Sequence, residues 1–145
     1  MRKGGKMSVT LNAFVLDYSP HWTALTQKVC KASGVNVLEW SRNGEAWKKS
    51  FELYKPHIVF VDLVMPNRDG LRCCRDILET NPTTGIILYH NFHTTVANNF
   101  DYTAAMMGVS AIVTKPFSEK KLIPVVNRVK EEVIQLQKAM GMIIS

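Results

Sequence analysis

A chain of 145 residues, 46% hydrophobic and 21% charged, is long enough to bury the core of one domain and has the composition of an ordinary soluble globular protein. Its net charge of +6 permits acidic partners. The basic residues are scattered, though (Lys48-Lys49, residues 68–75, Lys120-Lys121, residues 128–138), and no nucleic-acid motif accompanies them, so a solvated basic surface is favoured over a nucleic-acid site; nor does any apolar stretch approach a membrane span.

Residues 1–9 open with Met1-Arg2-Lys3-Gly4-Gly5-Lys6, lack a signal-peptide core and read as a flexible tail. Residues 10–139 read as one domain. Its first strand, Ala13-Phe14-Val15-Leu16, ends at Asp17, and Ser19-Pro20 signals a helix start. Trp22, Leu25 and Val29 then share one face of a helix over about 21–32, closed by Gly34. Residues 35–40 alternate and read as a shorter edge strand. Asn43 can cap a helix that turns Ala46, Trp47 and Phe51 inward.

Ile58 to Val61 are apolar, partly β-branched and do not alternate, as expected of a strand buried on both faces. Asp62 follows, and Pro66 and Asp69-Gly70 break the chain into a loop. A carboxylate at the end of a buried strand lies where open α/β folds bind ligands. Taken alone, the segment fits a turn or capping aspartate equally well. Leu71, Cys74, Ile77 and Leu78 give a short third helix, ended by Asn81-Pro82. Gly85-Ile86-Ile87-Leu88-Tyr89 is a further strand, ending at His90-Asn91. A fourth helix spans about 96–107 and is closed by Gly108. Ala111-Ile112-Val113-Thr114 ends at Lys115-Pro116. Ser118 and Glu119 begin the last helix, with apolar residues at helical spacing to about Ala139. Pro124 falls near its first turns, where the backbone tolerates it. Residues 140–145 form a short apolar extension that suits packing along that helix as well as contact with a second copy. Cys30, Cys73 and Cys74 have no metal-ligand spacing and read as buried thiols in a reducing cytoplasm.

Strict alternation of strand and helix predicts an α/β fold: five parallel strands with helices on both faces. The strand ends then gather Asp17, Tyr18, Asp62, His90 and Lys115 at one edge. Two carboxylates and a lysine around one pocket suit a hard divalent cation and phosphoryl chemistry.

Four stretches carry a resemblance to the receiver domain of two-component response regulators, over about residues 11–137. They are Phe14-Val15-Leu16-Asp17-Tyr18-Ser19-Pro20, Asn43-Gly44-Glu45-Ala46-Trp47, the segment from Pro56 through Asp62, Met65-Pro66 and Asp69-Gly70, and the segment from Met107 to Lys115-Pro116-Phe117. The combination of Asp-x-x-Met-Pro-x-x-Asp-Gly with a later Lys-Pro-Phe is highly specific. The resemblance implies a single-domain, chemotaxis-regulator-like (βα)5 fold, doubly wound and flavodoxin-like, with strand order 2-1-3-4-5. It implies that Asp62 is a phosphoacceptor for a sensor histidine kinase or phosphotransfer protein. Lys115 pairs with that carboxylate, and Asp17, Asp62 and the backbone carbonyl of Val64 hold Mg²⁺. Pro116 matches the family's cis-proline, and a downstream protein target reads the signal.

Three departures make the chain atypical. Tyr18 stands where a second acid is usual, which weakens Mg²⁺ binding. His90 stands in place of a Ser/Thr, unless Thr94 or Thr95 supplies that hydroxyl. Ile112 replaces the switch aromatic. The same fold could therefore serve as a phosphorylation-independent pseudo-receiver, an interaction module rather than a switch.

Overall fold

The computed structural model describes residues 10–41, 47–65, 68–91 and 107–142. In chain order the elements are β1 (Leu11–Leu16), α1 (Pro20–Ala32), β2 (Val35–Ser41), α2 (Trp47–Tyr54), β3 (Ile58–Asp62), β4 (Val64–Met65), β5 (Arg68–Asp69), α3 (Gly70–Thr80), β6 (Gly85–Asn91), β7 (Ala111–Lys115) and α4 (Glu119–Ala139). Asn43, Pro66, Thr94, Thr95, the tail of residues 1–9 and most of the expected helix at 96–107 lie outside the described residues.

Five strands form one sheet in the order β2-β1-β3-β6-β7, which is 2-1-3-4-5 when the small β4–β5 pair is left uncounted. Every pairing in it is parallel. All five residues of β3 are buried, because the strand is central and helices cover both of its faces. Alternate side chains feed two cores. On one face Ala13, Val15, Ile58, Phe60, Ile87 and Tyr89 meet Val29 of α1 and Leu122, Val126 and Val129 of α4. On the other, Phe14, Leu16, Val59, Val61, Ile86 and Leu88 meet Trp47 and Phe51 of α2 and Cys73, Cys74 and Ile77 of α3. The three cysteines are buried, and none is in a disulfide. Burial pushes the Cys30 thiol up to about 12, so it stays protonated and packs as a small apolar group.

The sequence misjudged two local features. The edge strand β2 has seven residues and is not short; a register shift opposite Ala13/Phe14 lets it follow β1 past Leu38. Val64–Met65 and Arg68–Asp69 pair as a small antiparallel ladder where a plain loop was expected. Pro124, the sixth residue of α4, lies in its second turn, and the helix runs on through it as expected of a proline near the start. The helix starts follow their signals more closely. Ser19 accepts the N–H of Trp22 at 3.3 Å with Pro20 next to it, and Ser118 accepts the N–H of Lys121 at 3.3 Å. Among the described residues no helix is long and apolar enough to cross a membrane.

Close approach between β6 and α4 fixes one position. A Cβ added at Gly85 would stand 2.7 Å from Val133 Cγ2 and 2.9 Å from Val129 Cγ1. The Gly85→Val variant is therefore expected to lose about 1–3 kcal/mol of stability as α4 is forced outward. Denaturant unfolding measures this, and an unchanged midpoint would show that the helix gives way freely.

Candidate functional site

Asp62 is the last residue of β3, Asp17 follows β1, and Lys115 closes β7. Parallel pairing sets these ends on one edge of the sheet. The three side chains converge: Lys115 Nζ donates to Asp17 Oδ2 at 3.0 Å and to Asp62 Oδ2 at 3.3 Å. Side-chain exposure is 1% for Asp17, 11% for Asp62 and 7% for Lys115, so the ion pairs are shielded from solvent screening. The remaining carboxylate oxygens meet backbone donors. Asp17 Oδ1 accepts the N–H of Ser19 at 2.9 Å, and Asp62 Oδ1 accepts that of Val64 at 3.3 Å. The Lys115–Pro116 peptide is cis, and Phe117 beyond it is buried.

The loop behind Asp62 is held tightly. Leu63 N–H donates to Tyr89 O at 2.8 Å, and Gly70 N–H to Leu63 O at 2.9 Å. A Cβ on Gly70 would lie 2.4 Å from Asp62 O and 2.6 Å from Leu63 Cα, so only glycine lets α3 begin this close to the acid.

Burial is the main reason the Asp62 carboxyl is pushed up to about 6. The negative charge of Asp17 adds to that. The Lys115 ammonium and the Val64 N–H work the other way. An acid poised near neutrality inside a cluster of charges fits a reactive group better than a turn residue.

Other residues singled out in the sequence lie around this centre. Tyr18 follows Asp17 with its side chain 58% exposed. Val64 is also exposed, leaving its backbone at the rim. His90 stands one residue past Tyr89 on β6, half-buried, opposite Thr114 of β7. Ile112 is half-buried and packs against the core that faces α2 and α3. Sequence reasoning missed the aromatic side of the site. Trp22, Tyr89 and Phe117 stack beside Lys115, and Tyr89 bonds Thr26. A tyrosine inside the apolar run of β6 was the only signal, and it reads as core.

No group of three or more metal-ligating side chains occurs among the described residues. Two carboxylates with spare lone pairs, beside the backbone of Val64, still suit a hard ion that keeps several waters, as Mg²⁺ does.

Comparison with known proteins agrees with the geometry. Residues 13–127 match the family model of the response regulator receiver domain. Protein CcdB of Bacillus subtilis is 30% identical over 116 residues, covering 79% of this chain and 93% of that protein. The chemotaxis protein CheY of Listeria monocytogenes is 23% identical over 113 residues, covering 78% and 92%. A protein-glutamate methylesterase/protein-glutamine glutaminase of Koribacter versatilis is 29% identical over 117 residues. That match covers 81% of this chain, which spans only 31% of the enzyme's length. The signal receiver domain of a putative Luxo repressor protein from Vibrio parahaemolyticus has the same fold, with a TM-score of 0.78 at 15% identity, covering 91% of this chain and 98% of that one.

The elevated Asp62 carboxyl has a consequence for stability. The native state holds the Asp62 proton more tightly than the unfolded chain, whose carboxyl has the ordinary value of 3.8. Between about pH 4 and 6 the folded form therefore binds more protons, and stability falls as pH rises through that window. Asp62→Asn avoids the cost of ionising this buried group. At pH 7.5 it is expected to be more stable than the wild type by about 1–3 kcal/mol, a gain that shrinks below pH 4. Thermal melts across this range measure it, and an Asn variant that melts lower at pH 7.5 would contradict it.

Proposed function

The chain belongs to the response regulator receiver domain family, and on that premise we propose that Asp62 accepts a phosphoryl group from a phosphohistidine of a sensor histidine kinase or phosphotransfer protein. The phosphorylated chain then signals by contacts with a downstream protein. The observation that carries this reading is the buried cluster in which Lys115 bonds Asp17 and Asp62 at 3.0 and 3.3 Å. The chain acts as a phosphoacceptor and not as an enzyme with a separate substrate. Buried thiols outside any disulfide suit a reducing compartment such as the cytoplasm.

An Asp62 carboxylate oxygen attacks phosphorus as the P–N bond to the donor imidazole breaks. The bonding pair leaves with that nitrogen, which takes up a proton, and an acyl phosphate forms. Lys115 exchanges a carboxylate oxygen for a phosphoryl oxygen and offsets its charge. On this reading His90 would serve the phosphoryl group through an imidazole N–H in place of a hydroxyl. Asp17, Asp62 and the Val64 carbonyl are the groups that would hold Mg²⁺, which when bound supplies positive charge to the phosphoryl oxygens. Tyr18, exposed where a second acid is usual, favours a second reading: a receiver fold used as an interaction module without phosphorylation.

Incubation with Mg²⁺ and acetyl phosphate separates the two readings. The expected product is a single phospho-adduct by mass, cleaved by hydroxylamine and absent in Asp62→Asn. Because the nucleophile is the carboxylate, labelling should decline as pH is lowered into the range where Asp62 protonates, a range that bound Mg²⁺ moves below the metal-free value of about 6. Absence of any adduct, together with no response of tryptophan fluorescence to beryllofluoride, would leave the interaction module as the function.

A further inference from the structure

The ammonium of Lys115 has aromatic neighbours as well as acidic ones. Its Nζ lies over two rings, 5.6 Å from the centroid of Tyr89 and 5.7 Å from that of Trp22. Phe117 braces both, with centroids 4.5 Å from Trp22 and 4.8 Å from Tyr89. Tyr89 is fully buried, and its hydroxyl shares a 2.6 Å hydrogen bond with Thr26 Oγ1 of α1. Its carbonyl accepts the N–H of Leu63, and it is the register partner of Asp62. One residue thus touches the loop behind Asp62 through its backbone, Lys115 through its ring and α1 through its hydroxyl.

We infer that Tyr89 is a positioning residue for Lys115: its ring, oriented by Thr26 and braced by Phe117, works with Trp22 to hold the ammonium between Asp17 and Asp62, where it meets a phosphoryl group. This rests on the reading of Asp62 as phosphoacceptor. A lysine stem has four rotatable bonds and many rotamers, and two carboxylates alone fix only its tip. A desolvated ammonium is drawn to the negative face of an aromatic ring. An aliphatic side chain in the same slot fills volume but offers no such face. The hydroxyl bond anchors the tip of the ring to α1, and Phe117 packs against it.

The test compares Tyr89→Leu, Tyr89→Phe and Trp22→Leu with the wild type in two measurements. One is a carboxyl NMR titration of Asp62 in the unphosphorylated protein, and the other is the rate of labelling by acetyl phosphate. In Tyr89→Leu the ammonium loosens from the acids. The Asp62 midpoint should then rise above its wild-type value, and labelling should slow about tenfold. Tyr89→Phe keeps the ring and its contact with Phe117 but loses the Thr26 bond, so it should fall between the wild type and Tyr89→Leu in both, while Trp22→Leu should shift both in the same direction as Tyr89→Leu. A folded Tyr89→Leu that titrates and labels like the wild type overturns the inference, as does a Tyr89→Phe that behaves like Tyr89→Leu. Should Tyr89→Leu fail to fold, an unchanged Asp62 titration in Trp22→Leu overturns it instead. If the midpoints move as expected while the wild type takes up no phosphoryl group, the positioning role stands and the phosphoacceptor reading falls.

Discussion

The ammonium of Lys115 compensates two carboxylates that are each almost wholly shielded from water. Shielding cuts both ways. It removes the screening that makes surface ion pairs weak, and it makes any charge left without a partner costly. Two negative charges face one positive charge, so the cluster is under-compensated. Asp62 carries the imbalance, its carboxyl raised by burial and by Asp17 and lowered by Lys115. The backbone N–H groups of Ser19 and Val64 supply the rest of the compensation. Those donors exist only because the chain turns sharply after β1 and after β3.

Sheet order explains how the three side chains meet. The chain runs from β1 out to the edge at β2, then returns to place β3 on the other side of β1. Connections diverge at β1 and β3, and a crevice opens beyond their C-terminal ends. Asp17 and Asp62 flank that crevice on adjacent strands. Lys115 starts farther away, because β6 separates β7 from β3. With neighbouring strands about 4.8 Å apart, roughly 10 Å of sheet separates β7 from β3, a gap closed by the lysine stem, the hydrogen bond and the Asp62 side chain together. That reach is the reason a lysine serves here, and Tyr89, near the C-terminal end of the intervening strand, lies along the way.

Much of this was legible in the sequence, because parallel strands buried on both faces read as unbroken apolar runs. Asp17, Asp62 and Lys115 stand out at the ends of such runs, and the alternation of strand and helix gives the layers. What could not be read depends on contacts between distant residues. The ladder of Val64–Met65 with Arg68–Asp69 sits beside a close approach of Gly70 to the backbone of Asp62 and Leu63, and no local pattern announces it. The length of β2 depends on a register shift against β1. Tyr89 looks like one more core residue of β6. Its bond to Thr26, 63 positions earlier, and the ring's place under Lys115 appear only once α1, β6 and β7 are packed together.

Charge counting connects the departures from the receiver pattern to chemistry. Asp17 and Asp62 against Lys115 leave one net negative charge in the crevice. On the proposed reading, an acyl phosphate replaces the single charge of Asp62 with nearly two. The crevice then holds close to two net negative charges, with the same lysine as its resident cation. A second acid beside Asp17 would deepen the imbalance without a metal and bind the metal more tightly with one. Tyr18 removes that acid and is largely exposed. The substitution therefore shifts the work of compensation from a bound cation toward Lys115. A crevice that leans on one ammonium requires that ammonium to be held in place, and here it is enclosed by two carboxylates and two aromatic rings.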